Sequence, residues 1–139
     1  MRAFFKMFLA THIAIFRLTG GRLGSAMRGH HVLLLTTTGN KSGKPRTVPV
    51  MQFDLDGKRY VVGSAAGAAE DPAWIKNLRK TPEVGVEVRG EKYRARAAVL
   101  GSAERASIYA RIAQQAPFFA DYEKKARGRE IPVVELARI

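Results

Sequence analysis

The sequence predicts an α+β fold that is mainly β: a small antiparallel barrel or strongly curled sheet, with short helices inserted and an amphipathic helix at the N-terminus. Two observations carry this reading. Apolar, β-branched runs recur between turn signals from about residue 31 to the end, and the helical patterns among them are short, which argues against a βαβ nucleotide fold. A chain of 139 residues has room for one domain with a real core and too little for two. The expected division is residues 1–28 as helix and connector, and 29–139 as the barrel domain.

Residues 3–18 carry apolar groups around most of a helical wheel, with Arg2, Lys6 and Arg17 on one narrow stripe, so an amphipathic helix is expected there. Its uncharged stretch, Met7 to Phe16, is ten residues, about half of a bilayer span. Lys6 interrupts the apolar region, against a secretory signal. The helix is left either docked on its own domain or lying peripherally in a membrane interface, its basic groups toward acidic headgroups. Thr19-Gly20-Gly21 ends it.

Strands are then expected at about 31–38, 48–55 and 58–64, the last two joined by an Asp56-Gly57 hairpin. Asp71 as N-cap and Pro72 at the first helical position open a short helix that Thr81-Pro82 stops. Strands at 83–89 and 92–100 pair around Gly90. A helix from Ser102 to Ala116 places Ile108 with Ile112, and Tyr109 with Ala113 and Ala116, on neighbouring faces. Pro117 starts another short helix, and 131–136 is a sixth strand. The strands should be half buried, with Val86, Val88, Val99 and Val133 in the core.

The formal charge of +12 is lopsided: residues 1–53 hold eight Lys and Arg and no acid, against sixteen basic and twelve acidic groups in 54–139. Such a field draws anions, whether nucleic acid, acidic lipid or a polyanionic small molecule. The basic residues lack interleaved stacking aromatics, and no zinc-finger or RNP pattern is present, against a nucleic-acid module. There are no cysteines, which excludes a disulfide framework and thiolate metal sites and permits a reducing cytoplasm.

Between two apolar runs stands Gly39-Asn40-Lys41-Ser42-Gly43-Lys44-Pro45-Arg46. Its glycines let backbone N–H groups turn inward, Pro45 stiffens the exit, and three cations converge on what those amides face. A phosphate is the natural guest; a solvated basic hairpin turn is the alternative. It is not a nucleotide P-loop, because three residues rather than four separate the glycines and Pro45 follows Lys44 where Ser or Thr would hold magnesium. His30-His31 diverge in an extended segment and His12 stands apart, so no zinc spacing exists, and no serine sits in a nucleophile elbow.

Several segments together resemble the deazaflavin (F420)-dependent nitroreductase family of actinobacteria, within the split β-barrel flavin and deazaflavin oxidoreductases. They are Phe16 to Arg22, Leu33 to Pro49 (LLLTTTGNKSGKPRTVP), Val62 to Gly67 (VGSAAG), Asp71 to Leu78 (DPAWIKNL) and Arg129 to Val134 (REIPVV). The resemblance implies coenzyme F420, whose phosphodiester and oligoglutamate arm would account for the lopsided charge, with FMN as the alternative cofactor. It assigns Lys41 and Arg46, with Asn40, the amides of Ser42 and Gly43, and Pro45, to the phosphate, and Lys44 to the tail. The ring would lie near Pro49, Val50 and Met51, Val62, Gly63, Ser64 and Ala65, and Ala73 to Asn77. Trp74 would wall that pocket or serve as ordinary core, and Asn77 would bond the ring's edge or brace the loop.

Two positions depart from many relatives: Asn40 stands for Arg, and Ala65 for Lys. A tyrosine cluster that leans over the ring in the best-known relatives is reduced to Tyr122, with Ala116 and Phe119 at two of its positions, so a more apolar substrate pocket around Phe119 and Tyr122 is expected. The implied activity is F420H₂-dependent transfer of a hydride to a hydrophobic quinone, enone or nitro compound, with Ser64 or Tyr122 polarising the acceptor or relaying a proton. The alternative is a non-catalytic protein that sequesters F420 or a flavin, membrane-associated through residues 3–18.

Overall fold

The structure, a computed structural model, describes residues 13, 14, 17, 26, 27, 30–126 and 128–139. The strands are β1 (Ala26–Met27), β2 (His30–Thr38), β3 (Pro45–Met51), β4 (Phe53–Leu55), β5 (Lys58–Val62), β6 (Glu83–Val88), β7 (Glu91–Val99) and β8 (Val133–Arg138). A single 3₁₀ turn spans Ala65–Gly67, and the helices are α1 (Ala73–Lys80), α2 (Ser102–Gln115) and α3 (Phe118–Lys125). The expected helix over 3–18 lies largely outside the described residues. Ile13, Ala14 and Arg17 are helical, and Arg17 donates from Nε and Nη2 to the Glu87 carboxylate on β6 at 3.1 and 2.9 Å.

All pairings are antiparallel, and the strands run β1-β2-β6-β7-β8-β5-β4, with β3 on the free side of β2. The two ends of this sheet, β3 and β4, are consecutive in sequence and separated by Gln52 alone. The sheet must therefore curl until its ends meet, which makes the split barrel. The hairpins close as their residues require: Asp56-Gly57 and Arg89-Gly90 both take positive φ, the handedness that matches strand twist.

Alternation divides the apolar residues between two cores. Leu33, Leu35, Val61, Val84, Val86, Val88, Ala95, Ala97, Val134 and Leu136 fill the inside of the curl, stoppered by Trp74, Ile75 and Leu78 of α1. Phe53, Leu55, Tyr60, Val62 and Val133 face outward and are covered by Ile108, Tyr109, Ile112 and Ala116 with Phe119 of α3. The predicted core residues Val86, Val88 and Val133 are buried, and Val99 is partly buried against the inner core.

Six expectations are corrected. Strand 48–55 begins at Pro45, because Pro45 and Arg46 pair with Thr38 and Thr37; among the described residues β3 pairs with β2 alone, so Pro45 and Pro49 deprive no second ladder there of a donor. The same strand breaks at Gln52, where the chain passes between the sheet's ends. The strand expected over 58–64 stops at Val62, and 131–136 becomes Val133–Arg138: Pro132, next opposite Gly63, accepts from its N–H at 2.9 Å but has no N–H to return. Pro72, not Asp71, is the N-cap of α1, because the Asp71 carboxylate is taken by Arg129 at 2.6 Å. And β2 is not half buried: Val32 to Leu35 are buried on both faces, as befits a central strand.

Helix α3 is fastened by α2. The Tyr109 hydroxyl donates to the Phe119 carbonyl, and Arg105 bonds the Ile131 carbonyl at 2.8 Å and the Glu123 carboxylate at 2.9 Å. Burial, with Glu123 adding to it, pushes the Tyr109 phenol up to about 12. Between pH 10 and that value the unfolded chain gives up a proton that the folded one keeps, so stability falls as pH rises through the window. Alkaline melting curves should show this loss in the wild type, and Tyr109→Phe should remove its share.

Candidate functional site

The basic turn is built as the glycines suggest. The Gly39 N–H donates to the Lys44 carbonyl and the Gly43 N–H to the Gly39 carbonyl, each at 2.8 Å, while Ser42 Oγ accepts from the Lys44 N–H at 3.2 Å. A Cβ at Gly39 would stand 2.6 Å from Ser42 Oγ and displace the hydroxyl that accepts from Lys44, and Gly43 has φ +71, which a side chain would strain. The Gly43 amide closes the turn and thus supplies shape; the Lys41 and Ser42 amides have no protein acceptor among the described residues.

Asn77 locks this turn to α1. Its side chain is buried, its Oδ1 accepts from the Asn40 N–H at 2.9 Å, and its Nδ2 donates to Thr37 Oγ1 at 3.0 Å. Lys80, one turn further on, donates to the Asn40 carbonyl at 2.8 Å. Of the two roles open to Asn77, bracing the loop is the one its bonds serve.

Beside the turn lies an open cleft of about 590 Å³, lined by Gly39, Asn40, Lys41, Ser42, Arg46, Glu70, Asp71, Ala73, Lys76 and Asn77. Its electrostatics are one-sided. Glu70 is paired with Lys76 at 3.8 Å and Asp71 with Arg129 at 2.6 Å, whereas Lys41, Lys44 and Arg46 have no carboxylate partner among the described residues. Gly43, Lys44 and Pro45 stand outside this cleft. Pro45 faces a shallow trough on the other side of the sheet with Arg17 and Glu87.

A second pocket, about 210 Å³, is lined by Pro49, Val50, Met51, Val62, Ser64, Ala65, Ala66, Trp74, Phe118, Phe119 and Tyr122. It opens at the seam between the two cores. Trp74 belongs to the inner core and also walls this pocket, so its two expected roles coincide. Phe118, Phe119 and Tyr122 form an aromatic wall with centroids 4.9 to 5.7 Å apart. Ala73 and Asn77, expected near the ring, line the first cleft instead: residues three and four apart share one face of α1, and Trp74 lies on the next.

Gly63 lines neither cavity. A Cβ there would sit 2.6 Å from Ile75 Cγ1 and 2.9 Å from Pro132 Cγ, so core packing, not the approach of a ring, explains its size. The residues after it make the rim. Ser64 is right-handed helical, Ala65 and Ala66 have φ +47 and +53, and such a succession turns neighbouring N–H groups toward a common point. No described group accepts from the N–H of Ser64, Ala65 or Ala66. Sequence reasoning missed Phe118 as a wall and Arg129 as the partner of this rim; helical spacing from Tyr122 could have found the first, and the second has no local signal.

The fold thus sets a small aromatic-walled pocket at the seam beside an open cleft on the basic turn. The family model described as F420H(2)-dependent quinone reductase matches residues 8–137. An F420H(2)-dependent quinone reductase of Mycobacterium tuberculosis is 34% identical over 137 residues, covering 94% of this chain and 89% of the relative. The solved structure of an F420-H2 dependent reductase, FDR-A, has a TM-score of 0.67 at 34% identity, covering 76% of this chain and 92% of that one. A solved chain described as a domain-swapped dimer has a TM-score of 0.70 at 30% identity, covering 91% and 94%. The heme storage protein HutZ of Vibrio cholerae, at 15% identity and a TM-score of 0.57 over 94% and 90%, shares the fold alone.

This chain belongs to the family of F420H(2)-dependent quinone reductases. It is accordingly an oxidoreductase whose cofactor is coenzyme F420, as the resemblance implied.

Asn77→Ala would leave the buried Thr37 hydroxyl without its partner, at about 1–3 kcal/mol for a group kept from water, and release the part-buried Asn40 amide. Urea unfolding should report a loss in that range.

Proposed function

We propose that this protein passes a hydride from reduced F420 to a hydrophobic quinone, with the cofactor's arm in the cleft at the basic turn and its ring in the pocket at the seam. The observation that supports it most is the placement of an unneutralised cationic cleft and an aromatic-walled pocket on neighbouring faces of one short helix. The donor chemistry of the residues fits the coenzyme. Lys41 and Arg46, with the Lys41 and Ser42 amides, match a phosphodiester, and the N–H groups of Ser64 to Ala66 match the carbonyl-bearing edge of a deazaflavin.

When bound, reduced F420 supplies the hydride. The chain's part is positional: Trp74, Phe118 and Phe119 exclude water and offer an apolar seat, and small residues at Ala65 and Ala66 leave room for a planar group. A quinone that accepts a hydride needs one proton to become the quinol. Ser64 and Tyr122 are the side-chain hydroxyls lining the pocket, and they are the candidates to orient the acceptor or hand on that proton. With one tyrosine in the wall, the pocket favours apolar ring acceptors over those that demand many hydrogen-bond donors. The Arg17–Glu87 pair supports docking of the segment that carries Arg17 on the protein's own sheet, in preference to membrane.

Anaerobic stopped-flow mixing with F420H₂ and menadione tests the reading: the protein should quench deazaflavin fluorescence and oxidise the bound reduced cofactor far faster than free solution does. Quenching without acceleration would leave only a binder, and neither effect would sink both parts. Arg46→Ala, which removes a charge-assisted bond of about 1.5–3 kcal/mol, should weaken F420 binding roughly 10- to 150-fold. The rate at saturating cofactor should stay within about threefold of the wild type, because Arg46 lies at the arm and not at the reacting ring.

A further inference from the structure

We propose that Arg129 is a positioning residue for the ring pocket, acting through the backbone of residues 63–71; this rests on reading that pocket as the cofactor's seat. Arg129 lines neither cavity. Its guanidinium, 11% exposed, spends its donors on a single loop. Nη2 donates to the Ser64 carbonyl at 2.7 Å, Nε to the Ala68 carbonyl at 2.9 Å, and Nη1 to the Gly63 carbonyl at 3.2 Å and the Asp71 carboxylate at 2.6 Å.

The segment bracketed by those carbonyls is one the chain would not adopt unaided. Ala65, Ala66 and Gly67 are consecutively left-handed, with φ of +47, +53 and +81, and for alanine each such residue is unfavourable. Such strain persists only where the surroundings over-determine it. Gly67 is pressed from the other side: a Cβ there would lie 2.9 Å from both the Tyr122 carbonyl and Lys125 Cβ of α3. The rim is thus held between α3 and one planar fork. Asp71 keeps that fork oriented, and Arg79 stands at 3.9 Å from its other oxygen. Lysine keeps the charge but not the fork, so it cannot bond three carbonyls and a carboxylate at once.

The consequence is that Arg129 sets where the N–H groups of Ser64, Ala65 and Ala66 stand without touching what they bind. Amide hydrogen exchange on the cofactor-free full chain, and F420 affinity by fluorescence, test this in Arg129→Gln and Arg129→Lys. Arg138→Gln, which breaks an exposed pair with Glu91, serves as control. Both Arg129 variants should raise exchange at least tenfold at the Gly67 and Ala68 amides, which donate to the Ser64 and Ala65 carbonyls, while 133–138 keeps its protection, and should weaken F420 at least tenfold, the control doing neither. If Arg129→Gln does not fold, Arg129→Lys decides the matter.

Unchanged exchange at Gly67 and Ala68, or a uniform rise that includes 133–138, would overturn the assignment. So would wild-type affinity in both Arg129 variants. Absence of F420 binding by the wild type would instead sink the cofactor reading, and the exchange data would still decide whether Arg129 holds the loop.

Discussion

The arrangement of the site depends on one buried carboxamide. Asn77, 7% exposed, joins α1 to the basic turn through Asn40 and to β2 through Thr37. Without a partner the Asn77 carboxamide and the Thr37 hydroxyl would be costly to bury. The same helix stoppers the barrel with Trp74, Ile75 and Leu78. The inner core therefore fixes α1, α1 fixes the turn, and the cationic cleft stands at a set distance from the pocket walled by Trp74. A ligand with a flat end and a charged arm meets both ends preformed, which spares it the entropy of ordering a loop.

The pocket exists because two cores meet there and neither closes it. Inside the curl the apolar side chains of one strand face pack on α1; outside it the opposite face packs on α2 and α3. At the seam, Met51 and Val62 from the sheet face Phe118, Phe119 and Tyr122 from α3, and the loop after Val62 crosses between them. Asp71 links this region to the cleft. Its carboxylate binds Arg129 while Asp71 also lines the cleft, so that acid is spent on structure and does not cancel the charge of Lys41 and Arg46.

What the sequence made legible was what is local. Alternating Val and Leu, the Asp56-Gly57 turn and the apolar spacing of Ile108, Tyr109 and Ile112 each announce an element whose physics is complete within a few residues. The turn from Gly39 was legible because its residue types have few other uses together. What was hidden depends on distant partners. Asp71 reads as a helix cap until Arg129, 58 positions on, competes for its carboxylate. Gly63 reads as room for a ring until Ile75 and Pro132 arrive against it. Ala65 and Ala66 have no local reason to turn left-handed, and Val32 to Leu35 show no alternation by which burial on both faces could be told from burial on one.

The central claim is that the basic turn and the seam pocket act together on one ligand. Fluorescence titration with F420 and with the bare deazaflavin chromophore, which lacks phosphate and glutamates, tests it at low and high salt. Here F420 should bind at least about a hundredfold more tightly than the chromophore, with an affinity that falls steeply as salt rises, while the chromophore's weak binding stays nearly salt-independent. Equal affinities for the two, or salt-insensitive binding of F420, would contradict the account.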